Sequence, residues 1–195
     1  MSTTDATSQT LLARPQRADA RRNYEKVLAA AREAFAEGGE STALEEIARR
    51  AGVGIGTLYR HFPTRDALVE ELYRHEVELL AESVDELLAT LPPDRALAAW
   101  LDRYVEYVAA KRGMIEVLRP VAAARTELYP ETRAQIRGAI ARLLEAGQAA
   151  GTLRRDLDAD DVHRAIGGIW MIDGPEFREQ AARLLGLVMD GLRAV

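Results

Sequence analysis

Cysteine is absent from the 195 residues, which removes disulfides, thiolate nucleophiles and thiolate metal ligands from consideration. Three histidines occur, His61, His75 and His163, far apart in sequence and without metal-ligand spacing. No apolar run approaches the ~20 residues that a bilayer-spanning helix needs. The stretch from Met1 to Thr10 is polar and carries no hydrophobic segment like that of a signal peptide, so a cytoplasmic location is expected. Alternating strand patterns of useful length and internal repeats are both missing. So are a nucleophile–base pairing, a phosphate-cradling glycine loop and a cofactor fingerprint, and the chain is expected to have no catalytic residues, no metal and no cofactor. The acid run Asp156, Asp158, Asp160 and Asp161 lacks the glycine and terminal glutamate of a calcium-binding loop. It reads instead as a cap for the helix that follows.

What is present is helical. Alanine, leucine, arginine and glutamate dominate, glycine (14) and proline (7) are sparse, and 48% hydrophobic residues allow a substantial core. The net charge of −5 is unevenly spread. Between Arg14 and Arg65 ten basic residues face seven acidic ones, whereas the remainder holds 16 basic and 24 acidic. Any contact with nucleic acid is therefore expected in the N-terminal third.

Helical periodicity organises the whole length. Met1 to Leu12 reads as a polar tail. Tyr24, Val27, Leu28, Ala31 and Phe35 mark a first helix, ended by Gly38-Gly39. Thr42 with Glu45 forms a capping-box pattern for a second, short helix that closes at Gly52. A third runs from about Gly54 to His61 and stops before Pro63. Thr64 caps a long fourth helix, and later helices are punctuated by Pro92-Pro93, Gly113, Gly151 and Asp173-Gly174. The fold class is all-α with about nine helices. The division expected is a disordered tail over 1–13, a small helical domain over 14–66, and a larger helical domain over 67–195.

Two short helices separated by Gly52 and Val53 have the dimensions of a helix-turn-helix. A helix entering a major groove about 12 Å wide needs small side chains so that its backbone comes close. Gly54, Gly56 and Thr57 meet that need, and Tyr59 and Arg60 offer longer reach. On this pattern alone, a short linker helix buried in a bundle stays open as well.

Residues 42–72, TALEEIARRAGVGIGTLYRHFPTRDALVEEL, resemble the DNA-binding signature of the tetracycline-repressor (TetR) family. IARRAGV, then GTLYRHF, then a basic residue before Asp-Ala-Leu, carry the likeness, which covers about residues 20–75. A weaker one lies in GTLRRDLDADDVHRAIGGI. The resemblance makes 14–66 the DNA-binding domain and 67–195 the ligand-binding and dimerisation domain, and implies a homodimer on a palindromic operator in double-stranded DNA, a groove-reading third helix, and a C-terminal pocket whose small-molecule effector releases the DNA. It implies DNA contacts, mostly to phosphates, from Thr42, Thr57, Tyr59, His61 and Arg65. Leu58 and Phe62 would pin the reading helix to the core. Gly54 stands where serine is common in the family and Ile55 where a polar side chain is frequent. Ile55 could still pack on a thymine methyl. Glu45 is either consumed by the capping box or accepts a hydrogen bond from a cytosine amino group.

In the C-terminal part, Ile136, Ala139, Ile140, Leu143, Leu144 and Gly147, with Phe177, Ala181, Leu184, Leu185, Leu187, Val188 and Leu192, offer two apolar helix faces for a four-helix dimer interface. A thick monomeric core would use the same residues. Trp100, Tyr104, Tyr107 and Trp170, with Leu118, Arg119 and His163, are candidate linings of a mainly apolar effector cavity with a few polar anchors. They fit an ordinary core equally well.

Overall fold

The computed structural model describes residues 5–194, with side chains from Asp19 onward. Among these residues there are nine α-helices and two short 3-10 turns. The chain divides into two compact units, 1–72 and 73–195, the division falling inside the fourth helix rather than at its start. Of the tail expected over 1–13, residues 1–4 lie outside the described part, and from Asp5 on the segment is carried as the first turns of α1.

The first unit is built on α1 (Asp5–Gly38), α2 (Leu44–Ala51) and α3 (Ile55–His61), followed by the opening turns of α4 (Arg65–Thr90). Val27, Leu28, Ala31 and Phe35 of α1 are buried with Ile47, Ala48 and Ala51 of α2, as the helical spacing requires. Gly52 closes α2 in the left-handed region at φ 66°, where a side chain would be strained. Thr64 caps α4, its hydroxyl accepting from the Ala67 amide at 3.1 Å.

The expected capping box at Thr42 and Glu45 does not form. The cap residue of α2 is Ala43, without a side-chain hydrogen bond. Thr42 is buried and its hydroxyl donates to the Ala34 carbonyl at 2.9 Å, tying the 3-10 turn Gly39–Ser41 back to α1. Glu45 is left exposed on the first turn of α2. The physical reason is geometric: the turn after Gly39 (φ 52°) points Thr42 inward, one residue too early to reach the free amides of α2.

The second unit holds the rest of α4 with α5 (Pro93–Gly113), α6 (Ile115–Ala124), α7 (Leu128–Ala149), α8 (Ala159–Ile166) and α9 (Phe177–Leu192). Helix α5 packs on both α7 and α9, and α7 on α8. Trp100 is fully buried, and its indole donates to the Leu80 carbonyl at 3.0 Å. Asp158 caps α8 as the acid run implied: it accepts from the amides of Asp160 and Asp161, both at 2.9 Å, while Asp161 accepts from the Asp158 amide at 3.1 Å. Helix α8 stops at Ile166, and Gly167–Met171 continue it as a 3-10 turn. After α7, Leu153 lies so close that a Cβ on Gly147 would come within 2.3 Å of its Cδ1. Glycine is what lets the chain turn back there toward Arg193.

The two apolar faces offered for an interface separate. Ile136, Ala139, Ile140, Leu143, Leu144 and Gly147 are all buried within the protomer, so that face of α7 is core. On α9, Phe177, Ala181, Leu185 and Leu192 are likewise buried, but Leu184 and Leu187 stay exposed, Leu187 by 69%.

Candidate DNA-reading head and effector cavity

The geometry of the head follows from which side of α3 is buried. Leu58 (0% exposed) and Phe62 (2%) face inward. Phe62 stacks on Tyr24 at 5.5 Å between ring centroids, and Tyr24 also meets His61 edge-on at 6.1 Å. Tyr24 donates to the carboxylate of Glu71. With that side fixed, helical periodicity turns Ile55, Gly56, Tyr59 and Arg60 toward solvent. Ile55 is 38% and Tyr59 44% exposed, one turn apart on the same side of α3. Thr57 and His61 are half-buried at the edges of this face. A Cβ at Gly54 or Gly56 would meet nothing within 4 Å, so no neighbour among the described residues makes glycine necessary there. The bare backbone is an outward-facing feature.

Arg65 does not project from this face. Its guanidinium donates to the carbonyls of Thr42, of Gly39 at 3.1 Å and of Glu40 at 3.0 Å, and it sits over the Phe35 ring at 4.9 Å. It braces the turn between α1 and α2. Sequence reasoning missed this because the three acceptors are backbone oxygens, which leave no trace in residue types.

In the second unit a cavity of about 600 Å³ opens between α4, α5, α7, α8 and the 3-10 turn. That is within the usual range for a small-molecule site. Tyr104, Tyr107, His163 and Trp170 line it as read from the sequence. Trp100 stands one layer back, stacked on Tyr104 at 5.7 Å. Leu118 is fully buried core, and Arg119 is exposed outside the lining. The lining also includes Tyr73, Lys111, Tyr129, Thr132, Arg133, Ile136, Arg137, Asp160, Arg164 and Gly167. The expectation of a mainly apolar wall is thus modified: the walls are aromatic, but they carry four cationic side chains. The spacing had a usable signal. Tyr104, Tyr107 and Lys111 share one helical face, as do Thr132, Arg133, Ile136 and Arg137.

Burial raises the phenols of Tyr104 and Tyr107 above the ordinary tyrosine value, and the neighbouring Tyr73 adds to the rise at Tyr107. Both therefore stay protonated donors. His163 is lowered, first by burial and then by the charges of Arg133 and Arg137, which makes the neutral imidazole the resting form. Among the described residues no group of three or more His, Cys, Asp or Glu could hold a metal ion, and no helix is long and apolar enough to cross a membrane.

A short solvent-facing helix pinned behind a turn, on a separate unit from a ligand-sized cavity, defines a helix-turn-helix regulator. The model for bacterial regulatory proteins of the tetR family matches residues 27–72, and that for the C-terminal domain of SbtR-like transcriptional regulators matches 92–194. The chain belongs to the TetR family of transcriptional regulators. It is 48% identical to the TetR regulator SCO0520 of Streptomyces coelicolor, whose solved structure superposes with a TM-score of 0.81 over 88% of this chain and 99% of that one. A TetR regulatory protein of Mycobacterium vanbaalenii is 34% identical with a TM-score of 0.75, covering 92% and 100%. The transcriptional repressor KstR2 of Mycolicibacterium smegmatis is 28% identical over 174 residues, 81% of this chain and 84% of that protein.

Proposed function

We propose that this chain is a cytoplasmic repressor that binds a palindromic operator as a homodimer and is released by a small molecule entering the tyrosine-lined cavity. The outward face of α3 carries the proposal. An exposed isoleucine and tyrosine on one side of a short helix, beside two glycines that no internal contact requires, suit a face that meets DNA. Gly54 and Gly56 let the backbone approach, Ile55 and Tyr59 enter the groove, and Thr57, Arg60 and His61 reach phosphates at its edges. Thr42 and Arg65 serve by shaping the turn before α2. Repression is supported by the name of the KstR2 relative.

Ile55 lacks donors and acceptors, so it reads a base through shape or a methyl group, and only thymine presents a methyl in the major groove. Each half-site is expected to contain a thymine whose replacement by uracil costs about 1 kcal/mol, the worth of one methyl-sized contact. In Ile55→Ala the same replacement should cost almost nothing, because both changes delete one interaction. An undiminished uracil effect in the variant removes Ile55 from base reading.

Dimerisation rests on α9, where Leu184 and Leu187 remain uncovered in the protomer. Leu187→Glu should convert the protein from dimer to monomer by light scattering at micromolar concentration and abolish operator binding while leaving helical content unchanged. A persistent dimer places the interface elsewhere. The experiment that tests the function itself is selection of bound sequences from random duplexes. A palindrome with half-sites about one helical turn apart, or a multiple of it, supports the reading, and failure to enrich any sequence overturns it.

A further inference from the structure

The cavity's charge is not balanced. Its one carboxylate, Asp160, is already paired with Arg137 at 2.9 Å. Arg133 is exposed on the rim, and no carboxylate among the described residues pairs with it. Lys111 is more unusual. It is half-buried, and its ammonium lies 4.8, 4.5 and 4.9 Å from the ring centroids of Tyr73, Tyr129 and Trp170. No carboxylate among the described residues accompanies it. A cation taken partly out of water keeps its charge when aromatic faces and an oxygen acceptor replace hydration. The rings do the first part here and Tyr73 the second.

Hydrogen-bond direction shows what is left over. Lys111 donates to the Tyr73 hydroxyl at 3.1 Å. That hydroxyl passes its own proton toward Thr132 at 3.0 Å, because the Thr132 hydroxyl donates onward to the Leu128 carbonyl at 2.8 Å. Tyr107, at 3.3 Å, then acts as a second donor to Tyr73. One N–H of the ammonium is thus engaged by protein, and an ammonium has three. The remaining two lack a protein acceptor among the described residues, and Lys111 is part of the cavity lining.

We infer that the cavity selects a small organic anion, whose carboxylate or comparable acidic group pairs with Lys111 and Arg133 while its aromatic or apolar body lies among Tyr104, Tyr129 and Trp170. This rests on the effector reading of the cavity given above and names the ligand class it takes. A cationic ligand is disfavoured, since it would meet Lys111 already in the aromatic cage and three arginines around it. A neutral ligand's carbonyl oxygen can accept from the ammonium, but it leaves the charges of Lys111 and Arg133 without a counter-ion.

The test uses the full-length protein without DNA and two probes of one shape, 2-naphthoate and its neutral amide 2-naphthamide, titrated by calorimetry. The naphthoate should bind about tenfold more tightly or better, the usual worth of a hydrogen-bonded charge partner. Lys111→Met should remove most of that preference, leaving only the part that Arg133 supplies. Arg133→Gln, on an exposed position, should reduce the preference in part without altering the melting temperature, which guards against a folding defect in the lysine variant. Equal affinities for the two probes, binding of neither at millimolar concentration, or a preference undiminished in Lys111→Met overturns the proposal. Because no DNA is present, this outcome is separable from failure of the effector reading, in which the naphthoate binds as expected but operator affinity is the same with and without saturating naphthoate.

Discussion

Arg65→Ala is expected to abolish operator binding by collapsing the turn before α2, not by deleting a single phosphate contact. The guanidinium holds three carbonyls of residues 39–42 and covers Phe35. Removing it leaves acceptors without their charged donor, and such a loss costs about 3 kcal/mol after allowance for non-additivity and partial exposure. In a unit of this size that lowers the melting temperature by roughly 12–24 °C. A mere phosphate ligand would behave differently: stability would be unchanged and the salt dependence of binding would fall by about one unit. Thermal melting of the variant separates the two. A normal melting curve with a reduced salt slope returns Arg65 to the DNA contacts.

Leu58→Ala is the second large effect. Leu58 is fully buried on the inner side of a seven-residue helix, too short to persist without packing. Truncation should cost about 2–5 kcal/mol, the range for a buried leucine whose cavity does not fully close. The outward residues then lose their fixed direction, so operator affinity should fall at every sequence alike. The tyrosine-lined cavity lies in the other compact unit, so binding of an aromatic probe there should persist. Loss of DNA binding with retained probe binding is the expected pair of results. Retained DNA binding would mean that Leu58 is not what orients α3.

Much of this molecule was legible in its sequence, and the exceptions share a cause. Helix boundaries set by Gly52, Pro63 and Asp158 were readable because caps and breakers act locally. The split of α3 into an inner side (Leu58, Phe62) and an outer side (Ile55, Tyr59) came from the family resemblance instead. Thr42 and Arg65 were not legible, since both depend on how a turn folds back on α1 and both bind backbone oxygens. The cavity was half legible. Tyr104, Tyr107, His163 and Trp170 carry aromatic or titratable side chains that attract notice, whereas Lys111 and Arg133 look like solvated surface until the surrounding helices are placed. The apolar face of α7 announced burial correctly but could not say whether a second protomer or this one supplies it.

The proposed repressor couples an operator-reading head to a ligand cavity. The most direct measurement is the naphthoate dissociation constant with and without a saturating selected operator, set beside the operator dissociation constant with and without saturating naphthoate. Thermodynamic linkage requires both ratios to be equal, and each ligand is expected to weaken the other by the same factor, about five-fold or more. Two ratios of one, with both ligands bound, would contradict it.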